Sequence, residues 1–416
     1  MREQRQSSSS DKEDACSRAG VLSKPQIKEL FDKNIVQGNA ECHEKMKWYD
    51  SAFDLHLGRE CYELLGTTKL KRGEDVKSQL SSRFARKRLD LNGGQELRRG
   101  RTYLVKLEET LDFSRHPELY GRATGKSTIG RVDVLSHLVV NKEPSYDCVG
   151  SKYCGELYLQ ITPLTFSVFV KEGYRLSQLR LFCGRPELSE INDGAREFEH
   201  NLLTVSGASP ATESIAGGFL RLSLAPEAIS GRQVIAFAAL PAKDRPKEPL
   251  DLNKKQHYDP TKYWELIVKE QDFMLAQKDR FYIVRSFERL CLPLDVAVDC
   301  IALSENLGDL RIHYAGFAHP TFGSDRRDRE SGTPLMFEVR CFTGQVLRHE
   351  EQLAKVKFYR MARMDDSRVH AAEGPREGRR LSGPQSAVAG SAETDYTNQE
   401  LQLSAIFKPW PKKLKV

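Results

Sequence analysis

The sequence predicts a mainly β protein made of two similar modules with a few short helices. Three observations lead there. From Tyr49 onward, short apolar or alternating runs recur between Gly, Pro and charged turns. Examples are SAFDLHLG (51–58), RTYLVKLEETLDF (101–113), GRVDVLSHLVV (130–140), GELYLQI (155–161), TFSVFV (165–170) and YRLSQLRLF (174–182). Runs of that length, rich in β-branched and aromatic residues, read as strands. The chain also repeats itself. RTYLVKLEETL (101–111) aligns with RFYIVRSFERL (280–290), sharing Arg, Tyr, Val, Glu and Leu. The same spacing, one residue shorter, sets Ile129-Gly130 on Leu307-Gly308 and Tyr158-Leu159-Gln160-Ile161 on Met336-Phe337-Glu338-Val339. Matches in one order favour duplication, at a period far too long for a solenoid. Finally, helix signals are few. One amphipathic segment spans 21–36, with Ser23 before Pro25 as its start, and a second helix is expected over 261–271.

The divisions follow composition. The 416 residues suffice for two or three domains. Residues 1–20, polar and Ser-rich, are expected to be disordered; they lack the apolar core of a signal peptide, and their acids disfavour a mitochondrial transit peptide. The modules are placed at 21–198 and 199–363. A Gly-, Ala-, Ser- and Arg-rich insert at 364–393 reads as disordered, and 394–416 as a C-terminal lid or tail. Residues 239–258, rich in Pro and Lys, read as exposed loop.

Several function classes drop out. The net charge of +6 is scattered, which suits a polyphosphate ligand and gives no nucleic-acid footprint. No apolar run is long enough to span a membrane. Nine cysteines without a CxxC read as reduced thiols in an intracellular compartment, cytoplasmic by default with organelle targeting left open. No zinc is expected, because His349-Glu350-Glu351 is followed by no PCxxC. GRATGKS (121–127) is one residue short of a phosphate-binding P-loop, and no helix is expected to follow it.

The motifs resemble a known family. GRATGKSTIGRVDV (121–134) resembles the Ser-Ser-x-Gly-Arg segment of dCTP deaminases and dUTPases. DSAFDLHLG (50–58) resembles their early strand. RIHYAGFAHPTFG (311–323) resembles the base-reading hairpin, Arg175-Leu176-Ser177-Gln178-Leu179 the strand after the catalytic carboxylate, and Asp395-Tyr396-Thr397-Asn398-Gln399 the lid over the phosphates. Their order is that of the internally duplicated dCTP deaminases. The resemblance implies two dUTPase-like β-barrel or jelly-roll modules. It also implies hydrolysis of dCTP to dUTP and ammonia, supplying dUTP for dUMP and dTTP synthesis.

Replacing the C4 amine of cytosine requires a group that takes a proton from water and then delivers protons to the leaving nitrogen. The resemblance implies a Glu for this task, without zinc, with a Ser and an Arg beside it and Mg2+ bound through the substrate triphosphate. The modules divide these parts. The first has Ser127, Thr128 and Arg131 but carries Gln160 at the glutamate position. The second has Glu338 but carries Asp309 at the arginine position. One complete site per chain is the economical expectation, with Glu338, Ser127 and Arg131 catalytic, completed within the chain or across a neighbour. Lys126, Thr128, Asp133, Gln178, His313, Tyr314, Ala315, Gly316, Phe317, Tyr396 and Gln399 are the expected substrate-binding residues.

Plainer roles compete with these. Arg131 could pair with Asp133 or a nearby acid, Ser127 could satisfy a turn, and Glu338 could face water from MFEVRC (336–341). His319 stands where the family's hairpin has Asp, and Asp395 where a phosphate-binding Lys is expected. Two alternatives therefore stay open: a dUTPase-like activity, or a catalytically inactive deoxynucleotide-binding regulator. The expected partners are dCTP and dUTP, with no nucleic acid or membrane, in a homo-oligomer for which a trimer is the default and a dimer the alternative.

Overall fold

The duplication is visible strand by strand in the computed structural model. It describes residues 18–38, 46–191, 203–205, 218–302, 310–313, 316–323, 332–362 and 400–414. The strands Thr102–Asp112 and Phe281–Leu290 bury their residues in nearly the same sequence: a fully buried start, then strict alternation. Both form the spine of a large sheet, because alternate apolar side chains enter the core while their neighbours face a second packed layer. Cys154–Pro163 pairs antiparallel with the first spine and Thr333–Cys341 with the second. In the first, Gln160 lies opposite Leu104 and His137; in the second, Glu338 lies opposite Ile283 and His313. The register thus sets Gln160 and Glu338 at equivalent places, as the repeat requires. Leu307-Gly308, the other half of a matched segment, lies outside the described residues.

Two sheets, of ten and eleven strands, carry the two modules. Chain crossings bind them together. Gly20–Val21 pairs with Arg175–Cys183, while Val21 also bridges to Met361. The C-terminal segment 400–414 buries Leu401, Leu403, Ile406 and Phe407 in a core shared by both modules. There Phe407 packs on Tyr263 and Trp264, and Trp410 lies 5.5 Å from Phe237.

Three local expectations need correction. The helix expected over 21–36 spans only Lys24–Asp32. It begins at Ser23, whose N–H donates to Gln26 Oε1 at 2.7 Å, and it ends before Asn34, which turns at φ 55°. The segment 261–271 is not a helix. A single 3-10 turn, Pro260–Lys262, is capped by Asp259 and leads into the strand Trp264–Val268. Trp264 and Leu266 are buried while Glu265 between them is exposed, a period of two that pairing with Arg232–Ala239 selects. The segment 239–258 is not wholly exposed loop, because Leu250–Asp251 adds a parallel strand beside Val168–Val170 and Leu250 is completely buried. Residues 1–17 and 363–399 lie outside the described residues. No described helix is long and apolar enough to cross a membrane.

Candidate active site

A tight turn at the end of strand Leu119–Gly125 begins the site. Lys126 caps the four-residue helix Ser127–Gly130, whose backbone closes on itself: Gly130 N–H donates to Lys126 O at 3.0 Å and Arg131 N–H to Ser127 O at 2.9 Å. Ile129 and Val132 are buried and anchor the turn in the first module's core. Ser127 and Thr128 are therefore left at its half-buried tip.

Glu338 of the second module approaches this turn from its strand, Thr333–Cys341. A Cβ placed on Gly130 would lie 3.3 Å from the Glu338 carboxyl carbon and 3.4 and 3.5 Å from its oxygens. A methyl group here would be a tight contact that the carboxylate would relieve only by shifting a few tenths of an ångström. Glu338 is 1% exposed, and its Oε2 has no hydrogen-bond partner among the described residues. Burial drives its pKa well above the ordinary carboxylate value; the nearby Arg131 charge opposes this and Asp133 adds to it. The two halves separated in the sequence, Ser127 with Arg131 and Glu338, thus meet within one chain.

The tail and the hairpin close the surroundings. Arg131 is buried and its Nη1 donates to the Leu403 carbonyl at 3.4 Å, while Ser404 Oγ donates to Thr128 O at 2.8 Å. A Cβ on Gly316 would lie 3.8 Å from Ser127 Oγ, so Gly316 lies beside the turn. Lys126 Nζ holds buried Asp54 at 2.6 Å. Gln178 lies opposite both Asp54 and Thr124, and its buried Oε1 has no partner among the described residues. Phe317 offers its ring to the Arg180 guanidinium, 4.0 Å from the centroid. His313 is placed by backbone register alone; Tyr314, Ala315, Tyr396, Gln399, Asp309 and Asp395 lie outside the described residues.

Asp133 is not open to a ligand through both oxygens. Its fully buried carboxylate accepts from Thr165 Oγ1 at 2.5 Å and is ion-paired with Arg340, two residues beyond Glu338 on the same strand. Asp133 therefore ties the Ser127–Arg131 turn to the strand that carries Glu338. Motif reading missed Gly130, Arg340 and Thr165 as site residues. The glycine of the Ser-Ser-x-Gly-Arg segment was the one available signal.

The equivalent place in the first module is filled. Gln160 is 2% exposed; its Oε1 accepts from Thr68 N–H at 3.1 Å, and its Nε2 donates to the Tyr146 hydroxyl at 3.0 Å. Tyr146 in turn donates to Thr68 O and stacks on His137. Both polar ends of Gln160 are satisfied by its own module, whereas Glu338 Oε2, beside the turn of the other, has no hydrogen-bond partner among the described residues. Introducing Gln160→Glu should therefore yield no second site. The variant's urea midpoint should fall, because a carboxylate replaces a satisfied amide.

The sequence comparisons follow the same division. Residues 18–185 match the 2'-deoxycytidine 5'-triphosphate deaminase N-terminal domain, and residues 194–375 match the C-terminal domain of the same family. The chain belongs to the dCTP deaminase family. Among solved structures it is similar to the 2'-deoxycytidine 5'-triphosphate deaminase from Agrobacterium tumefaciens, with 25% identity and a TM-score of 0.72. That match covers 84% of this chain and 97% of the bacterial one. No curated protein matches the sequence. The two-module β architecture is thus that of a dCTP deaminase, with Glu338 contributed by the C-terminal family domain and the Ser127–Arg131 turn by the N-terminal one.

Proposed function

We propose that this chain hydrolyses dCTP to dUTP and ammonia at the cleft between Glu338 and the Ser127–Arg131 turn. The observation that carries the reading is the approach of the Glu338 carboxylate to Gly130, beside Arg131 of the other module. In this role Glu338 takes a proton from water as the oxygen attacks C4 of the base, and returns protons to the departing amine. A carboxylate whose affinity for protons is raised by burial and restrained by a neighbouring guanidinium suits both halves of that cycle. Ser127 and Arg131 would hold the water and the tetrahedral centre, with fixed donors supplying the stabilisation. Lys126, Thr128, Gln178 and the 313–317 hairpin would hold the nucleotide, with Tyr396 and Gln399 closing over its phosphates.

Mg2+ would arrive on the triphosphate. Among the described residues no group of three or more His, Cys, Asp or Glu side chains could hold a metal ion, so the phosphate oxygens would carry it. The product dUTP would feed dUMP and dTTP synthesis. A homo-oligomer, trimer by default and dimer as the alternative, is compatible with this site. Because both halves come from one chain, turnover per chain should stay constant on dilution below the assembly's dissociation range. A fall in specific activity on dilution would show that a neighbour completes the site.

Product analysis with dCTP tests the reading. Release of dUTP and ammonia is expected. Formation of dUMP and pyrophosphate from dUTP would favour the dUTPase alternative, for which His319 is a poor substitute for the hairpin Asp. Tight dCTP binding with no ammonia would leave the regulator.

A further inference from the structure

Each module carries a small sheet beside its spine, and the two are built alike. In the first, Gln95–Leu97 ends four residues before the spine Thr102–Asp112 and pairs with Val168–Val170. In the second, Phe273–Ala276 ends four residues before the spine Phe281–Leu290 and pairs with Gln345–Arg348. The registers agree. Leu97 faces Val168 and Glu96 faces Phe169, as Ala276 faces Gln345 and Leu275 faces Val346.

The two sheets differ in what closes them. Leu250–Asp251, from within the C-terminal family domain, adds a third strand parallel to Val168–Val170. Leu250 N–H donates to Ser167 O at 2.9 Å and Leu252 N–H to Phe169 O at 3.4 Å, and the Leu250 side chain is fully buried. By the shared register, Val346 turns its peptide groups the same way as Phe169. On that side Gln345–Arg348 has no third strand among the described residues.

The surface beside this open edge is apolar. Leu275 and Val346 lie opposite each other, and Phe273 is two residues from Leu275, so all three share one face. They are 43% (Phe273), 59% (Leu275) and 49% (Val346) exposed. At the same places the first module has Gly94, Glu96 and Phe169, and the Phe169 ring lies so close over Gly94 that a Cβ there would collide with it. Single exposed apolar side chains are ordinary; three together beside an unpaired edge mark an interaction surface. The chain blunts another of its edges: Ala85–Asp90 carries Arg86, Lys87 and Arg88 and a register shift. Gln345–Arg348 has no Lys, Pro or register shift.

We infer that Gln345–Arg348 is the edge through which two copies of this chain pair about a two-fold axis, with Leu275 and Val346 at the contact. On the first module the third strand is delivered by the other module. With two modules in a chain, the strand for the second module falls to another chain. Identical edges that meet about a two-fold axis run antiparallel, satisfy each other's outward N–H and C=O groups, and close at two copies. Pairing also turns two marginal two-stranded sheets into one of four strands. The contact favours the dimer over the trimer, and it does not depend on the deaminase reading.

Sedimentation of the full-length protein tests the pairing. The parent should contain an even number of chains. The double variant Leu275→Lys, Val346→Lys changes only exposed side chains, so its far-ultraviolet circular dichroism should match the parent's. Its mass should fall to about half, because every two-fold contact is lost. Hydrogen exchange at the Val346 amide is the second readout, slow in the parent and at least about tenfold faster in the variant. A monomeric parent, an odd number of chains or an unchanged mass in the variant overturns the proposal. So does a Val346 amide equally slow in both proteins, which would place a segment of the same chain on this edge.

Discussion

Glu338→Gln is expected to lower ammonia release from dCTP by about a hundredfold to ten-thousandfold, the usual worth of a positioned acid–base group. Calorimetric affinity for dCTP should stay within a few-fold, because glutamine keeps the shape and loses only the proton transfer. Stability should move the other way. The folded pKa of Glu338 is raised, and the ordinary value is 4.5. Below that value both folded and unfolded chains hold the proton, and glutamate costs nothing extra. As pH rises through the folded pKa, the buried group must ionise and the parent loses stability. The glutamine variant has no such loss. It should melt with the parent at about pH 4 and above it at pH 8–9. Identical melting at both pH values would show that the carboxyl is not buried as described. Undiminished ammonia release would remove it from the chemistry.

Arg340→Met should be the most damaging change outside the reacting groups. It removes the ion-pair partner Arg340 from the fully buried Asp133 carboxylate, at the joint between the Ser127–Arg131 turn and the Glu338 strand. Breaking a buried pair from one side costs about 3–5 kcal/mol, readable as a lower urea midpoint. Activity should fall with it, since the Ser127–Arg131 turn loses its tether two residues from Glu338. Asp133→Asn is the matching partner change, because asparagine tolerates the φ of 57° found there. The double variant should lose less than the sum of the single ones. Additive losses, or a cost for Arg340→Met below about 1 kcal/mol, would mean that the pair does not couple the modules.

Local patterns carried much of the fold. Alternation in residues 101–113 and 280–290 specified strands, because a period of two survives without knowledge of the partner strand. It failed over 261–271, where WELIV (264–268) fits a helix turn or a strand equally until Arg232–Ala239 lies beside it. It failed again at Leu250, whose burial depends on an edge supplied by the other module. The site was legible as residue types. The motif order marked Ser127, Arg131 and Glu338, and the repeat set Glu338 against Gln160.

What the sequence alone determined was the duplication, the β class and the unequal loss of groups between the two copies, all of which are written in residue identity and spacing. Only the tertiary structure decided that the surviving halves meet inside one chain. It alone decided that Gly130 leaves room for the carboxylate, that Asp133 is held by Arg340, and that Ser51 faces His319. Those last pairs are separated by 207 and 268 residues. Contacts at such distances follow from how two curved sheets pack, and no local periodicity encodes which charged residue of one will be buried against which residue of the other.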